Sequence, residues 1–178
     1  MDTAGTFRVK NASAVTQVEM GRLSDSTYGF AAVNPSGTLV KLNNFLFGPA
    51  TGYVSADYVG LSTSYVYGSG SAVGPFVSGI EIGPLGKAIV YLSATLMVQN
   101  DGASMSVEVD GPSYRPPSFE YDLALDNRPS TDLLLMSGSR IIVFEGLLPG
   151  TYTFRAMYKS AAGVFIDIAQ RYMLVQPY

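Results

Sequence analysis

The sequence predicts an all-β fold: an antiparallel β-sandwich of jelly-roll type preceded by an N-terminal segment of short strands and hairpins. Three observations predict it. Apolar and polar residues alternate with a period of two through several segments, as half-buried strands require. Turn-forming residues punctuate the chain between these segments. The composition, with 19 Gly, 10 Pro and 12% aromatics in 178 residues, favours strands and tight turns, and the runs of Ala, Glu, Lys and Leu that build long helices are missing.

In chain order, the first expected strands are Phe7 to Lys10, Ala14 to Met20, Tyr28 to Val33 and Thr38 to Leu42. Between the last two lies Asn34-Pro35-Ser36-Gly37, in which Pro presets φ for a type I turn, Asn suits the first position and Gly the fourth. Two-stranded hairpins are marginal in water, so residues 1–52 are expected to form a linking or assembly segment that packs on the main domain or on neighbouring subunits. The boundary is placed near Gly52, with the sandwich over residues 53–178. Strand-like stretches Leu61 to Tyr67 and Phe76 to Ile82 flank Gly68-Ser69-Gly70-Ser71, a flexible turn by composition.

The clearest element runs from Lys87 to Gln99. Ala88, Val90, Leu92, Ala94, Leu96 and Val98 give one wholly aliphatic face, and Ile89, Tyr91, Ser93, Thr95, Met97 and Gln99 a mixed one. The Asn100-Asp101-Gly102 signal then predicts a tight hairpin into a strand with Met105, Val107 and Val109 inward and Glu108 and Asp110 outward. Further on, Arg140 to Glu145 reads as a short strand and Gly146-Leu147-Leu148-Pro149-Gly150 as a loop. Thr151 to Lys159 is a strand with Tyr152, Phe154, Ala156 and Tyr158 on one side, forming a second hairpin with the one before it. After Ala162-Gly163, the residues Val164, Ile166 and Ile168 are expected to face inward, and Arg171 to Val175 forms a last strand inside a sheet.

Composition also excludes function classes. A formal net charge of −3 without clustered Lys and Arg leaves no electrostatic footprint for nucleic acid. The chain has no His and no Cys, so Ser-His-Asp and Cys-His sites are impossible and zinc loses its favoured ligands. A carboxylate pair remains chemically available, and Glu108 and Asp110 share a strand face, but a solvated face is the simpler reading. Oxygen ligands near Asp101, Glu108, Asp110 or Asp122 lack the spacing of a calcium loop. No catalytic residue, metal or cofactor is expected. The segment Met1 to Gly5 has no basic and apolar signal pattern, and no run of about 18 apolar residues occurs, so neither a signal peptide nor a membrane span is expected.

Tyrosine carries the functional promise. Tyr53, Tyr58, Tyr65 and Tyr67 cluster in the Gly/Ser-rich segment, and Tyr114 and Tyr121 surround Arg115-Pro116-Pro117. Exposed Tyr offers a large amphipathic surface at low entropic cost, suited to subunit contacts or to stacking on sugars. These residues, with Arg115, are the candidate partner or glycan contacts; the alternative is that they pack the ends of the sandwich.

Gly83-Pro84 ahead of the long strand, Val107-Glu108-Val109-Asp110-Gly111, Gly146 to Phe154, and Gln170 to Pro177 together resemble the C-terminal β-sandwich of phage minor tail proteins, especially those of phages of actinobacteria. Gly21 to Phe30 resembles a short linking segment found ahead of that sandwich. The resemblance implies a virion structural protein at the tail tip, a fibre or the capsid surface, contacting other virion proteins as a homo-oligomer, with a trimer as the guess. Members of that family usually carry long upstream coiled-coil regions; no heptad pattern is read in these 178 residues, so capsid decoration stays an alternative. So does a carbohydrate-binding adhesin that recognises a host-surface glycan.

Overall fold

The computed structural model describes residues 5–23, 28–33, 39–41, 49–60, 62–68, 70, 73–83 and 85–178. The first four strands, β1 (Phe7–Lys10), β2 (Thr16–Arg22), β3 (Tyr28–Val33) and β4 (Leu39–Lys41), form an antiparallel meander. β2 starts later than the expected Ala14. The Asn11 carboxamide accepts the N–H groups of Ser13 and Val15, and Ala14 takes a left-handed conformation (φ 61°), so these residues are the turn. The turn Asn34-Pro35-Ser36-Gly37 lies outside the described residues, although Val33 and Leu39 on either side of it do pair. Arg8 and Glu19 meet across strands at 2.7 Å. On the other face of this sheet Phe7, Val9 and Met20 are nearly half exposed.

The remaining strands are β5 (Ala50–Val54), β6 (Tyr58–Gly60), β7 (Phe76–Ile82), β8 (Ala88–Gln99), β9 (Gly102–Asp110), β10 (Leu123–Asp126), β11 (Leu133–Phe144), β12 (Gly150–Ser160) and β13 (Ile166–Pro177). They make two antiparallel sheets. The β8 sheet has the order β11-β8-β13-β5, with β6 continuing β5 along the same edge of β13; the β9 sheet has the order β10-β9-β12-β7. Successive strands swap sheets at nearly every connection, and the last strand, β13, lies between β5 and β8. That is the strand order of a jelly roll. The sandwich takes in β5 from Ala50 onward, so it reaches into the segment 1–52.

Two expected hairpins are corrected. β8 and β9 do not pair, and neither do β11 and β12: each pair is split between the two sheets. Both edges of β8 are taken along its length by β11 and β13. The Asn100–Gly102 turn is instead an arch between sheets, because the fully buried Asp101 carboxylate is spent elsewhere. It accepts the N–H groups of Gly102 and Ala162 on one oxygen, and the Ser160 hydroxyl with the N–H groups of Val164 and Phe165 on the other, at 2.6 to 3.1 Å. Burial by itself would raise its pKa. The hydrogen bonds from Ser160, Ala162, Gly102 and Val164 outweigh burial and hold it at about 2. The same clamp turns the chain at Val164, which is half exposed and not inward.

Strand facing follows the alternation. Ala88, Val90, Leu92, Ala94, Leu96 and Val98 pack against Met105, Val107, Val109, Tyr152, Phe154, Ala156 and Tyr158 from the opposite sheet, all of them buried. β13 is one strand over both predicted segments, since a bulge at Gln170 (φ 48°) shifts its parity and keeps Ile166, Ile168, Met173 and Val175 all inward. The bulge also turns Arg171 into the core. Its guanidinium donates to the Gly74 carbonyl, the Tyr158 hydroxyl and the Ala56 carbonyl at 2.9, 2.8 and 2.6 Å. β11 is twice the expected length, because Leu133 to Ser139 continue the pairing with β8. No helix of the described residues is long and apolar enough to cross a membrane.

Candidate functional site: the two outer faces of the sandwich

Pairing determines where each candidate tyrosine points. On β5, Tyr53 stands opposite Tyr172 on the outer face of the β8 sheet and is 61% exposed. On β6, Tyr58 stands opposite Ile168 and points inward, so it is no surface contact: it is buried and stacked on Tyr158 with ring centroids 4.6 Å apart. The segment 62–67 then runs along the open edge of β12 beyond β7. Val66 bridges Tyr158 and packs against the core, which turns Tyr65 and Tyr67 outward over the β9 sheet.

The β9–β10 connection covers the opposite edge of that sheet. Val109 and Arg115 exchange both backbone hydrogen bonds, so Arg115 serves as an edge residue whose guanidinium reaches toward the Gly146 carbonyl. Its neighbour Tyr114 faces outward, 54% exposed, and donates to Glu108 at 2.9 Å. Ser118 exchanges hydrogen bonds with Ser106. Tyr121 packs on Phe144 against the core, whereas Arg115 stays partly exposed at the sheet edge.

Two groupings result on the β9 sheet. One is a bridge: the Tyr65 hydroxyl donates to the Asp122 carboxylate at 2.7 and 2.8 Å, Phe119 meets Tyr65 edge-on, and the Lys159 ammonium lies 4.0 Å from the Phe119 ring centre. Beneath it Ser104 and Ser106 are buried although they face outward. Burial, and then the adjacent Asp122 carboxylate, push the Tyr65 hydroxyl pKa up. The other grouping is a trough between the two flanking segments, open among the described residues. Its floor is Arg155, which pairs with Glu108 at 3.0 Å and with Asp110 at 2.9 Å. Tyr67 and Tyr114 stand on its two sides: burial chiefly raises the Tyr67 pKa, with nearby Arg155 opposing and Glu108 adding to it, and the hydrogen bond to Glu108 is the main cause that raises the Tyr114 pKa. Sequence reasoning had not singled out Arg155; its place between two carboxylates follows from the register Arg155↔Glu108 and Thr153↔Asp110.

The outer face of the β8 sheet is of another kind. Ile89, Tyr91 and Met97 of β8, Leu133, Leu135, Ile141 and Val143 of β11, Tyr172 and Leu174 of β13, Tyr53 of β5 and Val59 of β6 all point out. Leu133, Leu135, Ile141, Val143, Tyr53 and Val59 are each more than half exposed. Ser93, Thr95, Ser137 and Ser139 occupy its middle, with Thr95 and Ser137 hydrogen-bonded at 2.9 Å. Among the described residues, Asp167 is the one charged side chain facing out from these strands. Burial, and secondarily Asp57, raise its pKa, and its Oδ1 is buried with no hydrogen-bond partner among the described residues.

Neither face collects three or more acidic side chains able to hold a metal ion, among the described residues. No protein-family model matches this chain, and no curated protein matches it.

Proposed function

We propose that the protein is a structural component of a bacteriophage particle, most consistent with a minor tail, tail-tip or fibre position, which works by burying surface against copies of itself and other virion proteins, without catalysis. The observation that carries this is the outer face of the β8 sheet. Four strand positions about 4.8 Å apart and twelve residues of about 3.3 Å each span roughly 19 by 40 Å, on the order of 750 Å². A stable interface needs about 800 Å² per partner, a size this whole face approaches, and the exposed apolar side chains grouped on either side of its Ser/Thr middle are of the kind that mark an interaction surface. The face ends at β11, a twelve-residue edge strand, and long apolar edges are normally covered. A second copy of the chain is the occupant that this size and lack of charge fit best. Jelly rolls recur in viral capsid and lectin domains, and the resemblance to phage minor tail sandwiches supplies the particle; a capsid-surface position remains the alternative reading of that resemblance.

Light scattering coupled to size exclusion tests it. The expected mass is a multiple of the 19.0 kDa chain, with three copies the proposed number, and Ile141→Glu is expected to return monomers with unchanged circular dichroism. A wild-type chain that stays monomeric at high concentration overturns self-association through this face.

A further inference from the structure

We infer that the trough on the outer face of the β9 sheet is a binding site for a neutral saccharide, independent of assembly through the opposite face. Tyr67 and Tyr114 reach the trough from two separate segments, each held by its own backbone bridge, Val66 to Tyr158 and Arg115 to Val109. Phe76, half exposed, stands opposite Arg155 on β7 and adds a third aromatic surface on the Tyr67 side. Aromatic faces pack on the C–H faces of a pyranose and exclude water from them.

The floor supplies the polar half of the recognition. Glu108 accepts from Tyr114 and from Arg155, and Asp110 accepts from the other guanidinium nitrogen. Each group is therefore held in place by its neighbours before any ligand arrives, which lowers the ordering cost of binding. Two carboxylates leave further lone pairs for sugar hydroxyls, and the guanidinium and the phenols provide donors. The summed charge of two carboxylates and one guanidinium is −1, so phosphate- or uronate-bearing polymers are repelled and an uncharged glycan is selected. Lys159 does not offset this, because it is drawn over Phe119 in the neighbouring bridge.

The test is affinity electrophoresis and biolayer interferometry of the full chain against immobilised neutral glucan, galactan, mannan and arabinan, with polygalacturonate as the acidic control. Saturable retention by at least one neutral polymer is expected. Tyr114→Ala, Tyr67→Ala and Glu108→Gln should each weaken it by at least about tenfold while the melting transition stays cooperative, and Ile141→Glu on the opposite face should leave the intrinsic site affinity unchanged. The inference is overturned if no neutral polymer is retained, which would leave the trough to protein contacts, if polygalacturonate is preferred, or if the folded trough variants bind as wild type does.

Discussion

The two sheets of the sandwich share one core but turn opposite kinds of surface to the solvent. On the β9 sheet, outward positions carry Glu108, Asp110, Arg155 and Lys159, and two loop segments fold back over them. On the β8 sheet the equivalent positions carry Ile, Leu, Val, Met and Tyr around a Ser/Thr middle, with Asp167 the lone charge among the described residues, and nothing described lies across Leu135 or Ile141. Solvation alone accounts for the first arrangement and not for the second. A charged face is stable in water, whereas an exposed apolar face gains free energy when covered, at roughly 25 cal/mol per Å². The contrast teaches that one small domain can turn surfaces of opposite character to its two sides, and that each can be altered without touching the other.

The largest perturbation removes both faces at once. Leu92 is fully buried between the sheets, and Leu92→Asp places an unpaired charge there, which should cost more than about 4 kcal/mol and abolish the cooperative melting transition seen by circular dichroism. A variant that melted like wild type would mean that β8 does not face the core as described.

Next in size is the clamp that sets the arches between the sheets. Asp101→Asn puts an amide where the Ser160 hydroxyl or backbone N–H groups donate, and should destabilise by about 3 kcal/mol in chemical denaturation. Wild type should show the matching pH dependence. With a folded-state pKa of about 2 below an unfolded value of about 3.9, the native state binds fewer protons. This contribution is therefore complete above about pH 4 and disappears as pH falls through about 2. If the acid-induced loss of stability were the same in Asp101→Asn, the clamp would not be its source.

The smallest effect sharpens the reading of the apolar face. The Asp167 pKa is raised on folding, so the native state prefers the protonated form and stability falls as pH rises from the ordinary carboxylate range through the raised value. Asp167→Asn should therefore stabilise the neutral-pH fold modestly, by about 0.5 to 1 kcal/mol, and tighten self-association measured by sedimentation. Weaker association in this variant would make Asp167 a partner across the interface and not a penalty within it.

Much of this was legible in the sequence, because which face of a strand a residue occupies depends only on parity. Alternation over Lys87 to Gln99, Met105 to Asp110 and Thr151 to Lys159 determined the inward residues of these strands and the outward Glu108 and Asp110 without knowledge of any partner strand. The bulge at Gln170 was not legible in this way, because Ile166 to Ile168 and Arg171 to Val175 read as two separate segments until their shared pairing with β8 joined them into one strand. What only the tertiary structure decided was which strands are neighbours. A local Asn-Asp-Gly signal looks the same whether it closes a hairpin or an arch, and the choice rested on N–H groups some 60 residues away that capture the Asp101 carboxylate. The fate of the tyrosines was settled at the same level. Tyr53 and Tyr58 lie five residues apart in similar surroundings, yet their registers on β13 send one to solvent and the other against Tyr158. The trough itself exists because Arg155 and Glu108, 47 residues apart, are set side by side by long-range pairing, a juxtaposition that no local pattern encodes.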